Sequence, residues 1–98
     1  MKNQQIELVN GEVVQLTMNF AKILKIKQDN PNLYNELQEI LKGNIDPVFS
    51  PVKVLYTSYL CANNEPKYTE EQFIELVPFD LQMVNEVSAR LIQATKQK

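Results

Sequence analysis

Apolar positions along this chain change their period once. Between residues 6 and 17 they lie in two β-rich stretches, Ile6-Glu7-Leu8-Val9 and Glu12-Val13-Val14-Gln15-Leu16-Thr17, split by Asn10-Gly11. Asn-Gly is the pair most compatible with the two positive φ angles of a type I′ turn, so the segment predicts a β-hairpin over 6–17. Two strands alone are marginal in water. The hairpin must therefore lie on helices or pair with another chain, and its outer edge is a possible docking site.

From residue 19 to 97 the apolar positions recur every three or four residues, which predicts about five helices. Phe20, Ile23 and Leu24 open the first, with Asn19 or Thr17 available as cap and a stop before Asn30-Pro31. The second is bounded on both sides: Asn30 as N-cap, Pro31 at the first position, apolar Leu33, Tyr34, Leu37, Ile40 and Leu41, then Gly43. Asp46-Pro47 and Ser50-Pro51 both look like a cap followed by a first-turn proline. A turn at the former and a helix from Pro51 are expected, because both cannot begin one regular helix. That helix carries Val52, Leu55, Tyr56, Tyr59 and Leu60. The loop Asn63–Lys67 follows, and then Thr69-Glu70-Glu71-Gln72 reads as a capping box ahead of Phe73, Ile74, Leu76 and Val77. Asp80 can cap the last helix, with Phe79 set to staple against Val84 and with Val87, Leu91 and Ala94 continuing the stripe. The whole is expected to be one α+β domain over 1–98, predominantly α-helical behind its N-terminal hairpin.

Composition narrows what such a domain can do. The 98 residues include one cysteine, Cys61, and no histidine. No intrachain disulfide can form, the commonest zinc ligand is missing, and so is the side chain most used for acid–base work near neutral pH. Gly11 and Gly43 are the two glycines and lie too far apart for a phosphate-binding loop. No enzyme activity, cofactor or metal is expected. Ser50, Ser58, Ser88, Thr69 and Cys61 lack a histidine base and read as ordinary polar or buried positions. The N-terminus lacks the apolar stretch of a signal peptide and no membrane span is expected, so a reducing cytoplasm fits best. A net charge of −2 with dispersed lysines makes nucleic acid an unfavourable partner.

What remains is binding to proteins. The candidate contacts are the hairpin edge around Leu8, Val9, Val13 and Val14 and the aromatic helix through Tyr56 and Tyr59. A stripe like the latter is more often core than interface, although tyrosine is enriched in both.

One order of features stands out: a hairpin around Asn-Gly, a short Phe- and Lys-bearing helix, Leu-Tyr-Asn-Glu-Leu-Gln-Glu-Ile-Leu-Lys-Gly-Asn-Ile-Asp-Pro at 33–47, a Tyr-rich helix, and Tyr-Thr-Glu-Glu-Gln-Phe-Ile-Glu-Leu at 68–76. Over nearly its whole length the chain resembles the tail assembly chaperones of long-tailed, non-contractile phages and prophages of Gram-positive bacteria. The resemblance implies that copies of the chain coat the tape measure protein in the host bacterial cytoplasm, keep it soluble, and yield as tail tube subunits polymerise around it, leaving none in the mature virion. It also implies a longer frameshifted product that recruits the tube (major tail) protein, and a homo-oligomer meeting at the hairpin edge. The alternative is a small cytosolic protein-binding adaptor such as an antitoxin or a transcriptional regulator. A regulator would need a basic recognition helix, and the acids of the last two helices argue against one. An acyl carrier would need an Asp-Ser-Leu tripeptide, which does not occur.

Overall fold

The computed structural model describes residues 4–44, 46–63 and 65–96, the side chains of 94–96 excepted. It is an α+β fold, mainly helical: an antiparallel hairpin, β1 (Gln4–Glu7) and β2 (Val13–Leu16), then five helices, α1 (Phe20–Asp29), α2 (Pro31–Lys42), α3 (Phe49–Ala62), α4 (Glu70–Leu76) and α5 (Leu81–Lys96).

The hairpin's turn differs from the expected type I′. Ile6 faces Val14 and Glu7 faces Val13. The Leu8 N–H donates to the Glu12 carbonyl at 2.8 Å and the Gly11 N–H to the Leu8 carbonyl at 2.9 Å. Three residues, Val9 to Gly11, thus form the loop, and among the described residues only glycines have positive φ, Gly11 at 89°. A three-residue loop ending in a left-handed glycine is the bulged alternative to the two-residue turn. The reason lies in register. A two-residue turn would oppose Val9 to Glu12 and send Ile6 and Leu8 to one face but Val14 and Leu16 to the other. The observed register buries all four on one side.

Helix boundaries follow the capping residues. Asn19 Oδ1 accepts the Lys22 N–H at 2.9 Å and so starts α1. Asn30 both ends α1, its N–H on the Ile26 carbonyl at 2.7 Å, and starts α2, its Oδ1 accepting the Leu33 N–H at 3.3 Å. Gly43 closes α2 at φ 105°. The α4 capping box forms in both directions between Thr69 and Gln72, and Asp80 Oδ1 takes the Met83 N–H at 3.1 Å to open α5.

Two expectations need correction. Helix α3 begins at Phe49 and not at Pro51. Asp46 Oδ1 accepts the Val48 and Phe49 N–H groups at 2.9 Å each, so Pro51 occupies the first helical turn, where an N–H has no partner within the helix and its loss costs nothing. Phe79 does not staple against Val84: it is 90% exposed, while Val84 packs in the core without it. Among Phe20, Ile23 and Leu24, whose spacing marks the first helix, only Ile23 is buried, together with Ile26, while Phe20 and Leu24 face outward. Of the remaining expectations, Ala94's packing and the loop position Asn64 lie outside the described residues.

Helix α3 is the axis of the molecule, packing against β2, α2, α4 and α5. Val54 to Tyr59 are buried without interruption, as expected of a helix surrounded by other elements. Its buried Thr57 and Ser58 hydroxyls are satisfied by the Lys53 and Leu55 carbonyls at 2.8 and 2.9 Å. One apolar cluster takes residues from the hairpin and from all five helices.

Candidate protein-binding surface

The fold divides the six candidate contact residues. Leu8, Val14, Tyr56 and Tyr59 are buried in the protein's own core, so they are not available to a partner on this folded surface. Val9 and Val13, 63% and 49% exposed, remain accessible on the hairpin's outer side.

The two tyrosines instead organise an aromatic centre. Tyr59 stacks on Phe73 of α4 with ring centroids 5.0 Å apart, and Tyr56 lies 5.6 Å from the same ring. The Tyr59 hydroxyl oxygen accepts the backbone N–H groups of Lys67 and Tyr68 at 2.7 and 3.1 Å, pinning the α3–α4 loop to α3. Tyr68 carries the connection onward: its hydroxyl donates to the Glu12 carboxylate and accepts from Asn10 Nδ2 at 3.2 Å. Lys67 pairs with Glu12 at 3.3 Å. These contacts, with the Val9 N–H on the Leu76 carbonyl at 2.8 Å, latch the hairpin tip onto the helices. At its other end the Thr17 N–H meets the Ser58 carbonyl at 3.1 Å. Each hairpin end is thus tied down, leaving the outward-facing backbone groups of Gln5 and Glu7 on the β1 edge.

Charge is used structurally in the interior seams. Lys53 of α3 pairs with Glu36 of α2 at 2.9 Å and with Glu70 of α4. Burial pulls the Lys53 ammonium towards a lower pKa, but the two glutamates outweigh it and hold it above its usual value. Burial likewise pushes the Cys61 thiol up to about 11, which keeps it protonated and unreactive at neutral pH. Among the described residues no group of three or more Cys, Asp and Glu side chains converges where a metal ion could be held. No helix among them is long and apolar enough to cross a membrane.

The fold leaves several large apolar side chains outside. Phe20 is 75% exposed, and Leu24 follows one turn later on the same face of α1. Val48 and Phe49 stand out at the start of α3, and Phe79 and Leu81 at the α4–α5 junction. None belonged to the contacts read from sequence. No local signal separates them: Phe20, Ile23 and Leu24 share the three- and four-residue spacing of an ordinary inner helix face. A groove of about 300 Å³ lies between α1 and the end of α3, with Ile26, Leu60 and Pro66 as apolar lining and Lys22, Lys25 and Asp29 among its polar residues, on the flank of α1 away from Phe20 and Leu24.

Compared with protein-family models, with curated proteins and with solved structures, the chain matches none.

Proposed function

We propose that this chain is a tail assembly chaperone of a long-tailed, non-contractile phage or prophage. It acts by contact and not by catalysis, holding the tape measure protein soluble in the host cytoplasm until tail tube subunits polymerise around it, and it is not retained in the virion. A frameshifted longer form brings in the tube protein. The single observation that carries this reading is a contrast between interior and surface. Among the described residues every buried side-chain nitrogen and oxygen has a hydrogen-bond partner, so the interior is complete, yet Phe20, Phe49 and Phe79 stay outside. Exposed apolar side chains that adjoin, as Phe20 and Leu24 do one turn apart on α1, offer a contact surface to other proteins. Tape measure proteins are long amphipathic helices, whose apolar faces need such surfaces until the tube encloses them. The order of sequence features shared with these chaperones supports the same assignment.

Co-expression tests it. A tape measure fragment that is insoluble alone is expected to become soluble and to co-purify with this chain. A fragment that stays insoluble and does not co-purify overturns the assignment and favours an adaptor such as an antitoxin.

A further inference from the structure

We propose that Asn10 is a site of spontaneous modification: the Asn10-Gly11 link deamidates through a succinimide when the hairpin tip comes off the helices, and the product cannot close the latch again. The proposal does not rest on the chaperone reading. Asn10-Gly11 is the one Asn-Gly pair in the chain, every other asparagine being followed by a residue with a side chain. That matters because the reaction begins when the main-chain nitrogen of the next residue attacks the asparagine side-chain carbon, and glycine puts no Cβ in the way. The bond from Gly11 N to Asn10 Cγ forms, the Cγ–Nδ2 bond breaks, and the Nδ2 group takes the Gly11 amide proton and leaves as ammonia. Water then opens the imide. Cleavage at Cγ gives aspartate, and cleavage at the main-chain carbonyl gives isoaspartate, in which the chain runs through the former side chain.

The fold holds each reacting group. Although Asn10 is exposed, its amide is clamped at both ends: Oδ1 accepts the Glu12 N–H at 3.0 Å and Nδ2 donates to the Tyr68 hydroxyl at 3.2 Å. The attacking group is occupied too, since the Gly11 N–H donates to the Leu8 carbonyl at 2.9 Å. Two of these three bonds lie within the loop itself, and the one that crosses to the helices is made by Tyr68. Its loss frees the amide to turn its face towards the Gly11 nitrogen, so the rate is set by how often the latch opens. After reaction the latch stays open. A carboxylate at position 10 has no N–H to donate, and the single hydroxyl proton of Tyr68 is already given to Glu12, so the new charge faces oxygen lone pairs and a like charge. Isoaspartate also adds a main-chain carbon to the three-residue loop that Leu8 and Glu12 close.

The test incubates the folded full chain at neutral pH. Intact mass records the replacement of NH2 by OH, and peptide mapping places the change and separates aspartate from isoaspartate. Unfolded in urea, the chain is expected to react first at Asn10, and the folded chain about tenfold or more slowly. Tyr68→Phe, which removes only the hydroxyl, is expected to raise the folded rate about fivefold, the shift that one lost hydrogen bond gives an opening equilibrium. Val87→Ala, which leaves a cavity at a buried position of α5, lowers global stability and is expected to keep the rate within about twofold of wild type. If circular dichroism finds Tyr68→Phe unfolded, Glu12→Gln replaces it with a rise in the same direction. The isolated deamidated chain is expected to melt below the unmodified one. Reaction first at another asparagine, equal rates in the folded and unfolded chain, no rise in the latch variant, or an equal rise in Val87→Ala overturns the proposal. So does a deamidated chain that melts where the unmodified one does, since its latch has then closed again.

Discussion

Glu12 shows how one residue can join parts of the chain far apart in sequence. Its carboxylate receives the Tyr68 hydroxyl and the Lys67 ammonium, and these bonds, the tyrosine's first, hold its pKa below the usual 4.5. A carboxyl whose native pKa is lowered contributes its full stabilisation above the unfolded value and loses it as the pH falls through the lower native one. The latch should therefore hold unchanged through neutral pH and fail only in acid. The melting-temperature gap between wild type and Glu12→Gln is expected to be constant above about pH 5.5 and to close towards about pH 3. A gap that stays open at low pH would mean that the carboxylate is not what holds the latch. From sequence, Glu12 was only a strand residue and Tyr68 a neighbour of the capping box. Their meeting spans 56 positions, and no local pattern encodes it.

At the scale of elements, the sequence was most legible where a side chain bonds its own neighbourhood. Asn19, Asn30, Thr69 with Gln72, and Asp80 cap the helices expected of them because each bond closes within three residues. Gly43 is a sharper case. It ends α2 at φ 105°, and a Cβ there would meet nothing within 4 Å, so a substitution would be strained by backbone conformation alone. Gly43→Ala is expected to cost about 1–2 kcal/mol in a urea titration, and Gly43→Asn less, since Asn tolerates the left-handed region better. Equal losses for both would point to a contact made by neither. Element reading failed where a residue's duty was settled elsewhere. Asn10-Gly11 fits a type I′ turn locally, yet the need to put Ile6, Leu8, Val14 and Leu16 on one face selects the longer loop. Pro51 looked like a helix start, but Asp46 Oδ1 accepts the N–H groups two and three residues after it, Val48 and Phe49, and so starts the helix before Ser50 could cap it.

Across the whole molecule, the core is assembled around α3, and Phe73 is where α4 joins it. Its ring is fully buried between Tyr56 and Tyr59. Phe73→Ala is expected to cost about 3–5 kcal/mol, and Phe73→Leu less than about 2, because the cavity left differs in size. A domain of this length has only about 5–15 kcal/mol in total, so thermal unfolding followed by circular dichroism should find the alanine variant close to its folding limit. A loss below about 1 kcal/mol would show that α4 is not anchored there. Taken alone, the sequence determined the order and kind of the elements, most of their ends, and the single-cysteine, histidine-free chemistry, because periodicity, capping and composition are local or additive properties. Only the tertiary structure decided which apolar residues became core. Thr57, Ser58 and Ser88 went inside because they are small and, for the first two, bond their own helix, while Phe20, Leu24 and Phe79 stayed outside. That choice depends on how elements distant in sequence fill one shared volume. A helix offers its stripe to the core, but its neighbours decide how much of that stripe is covered.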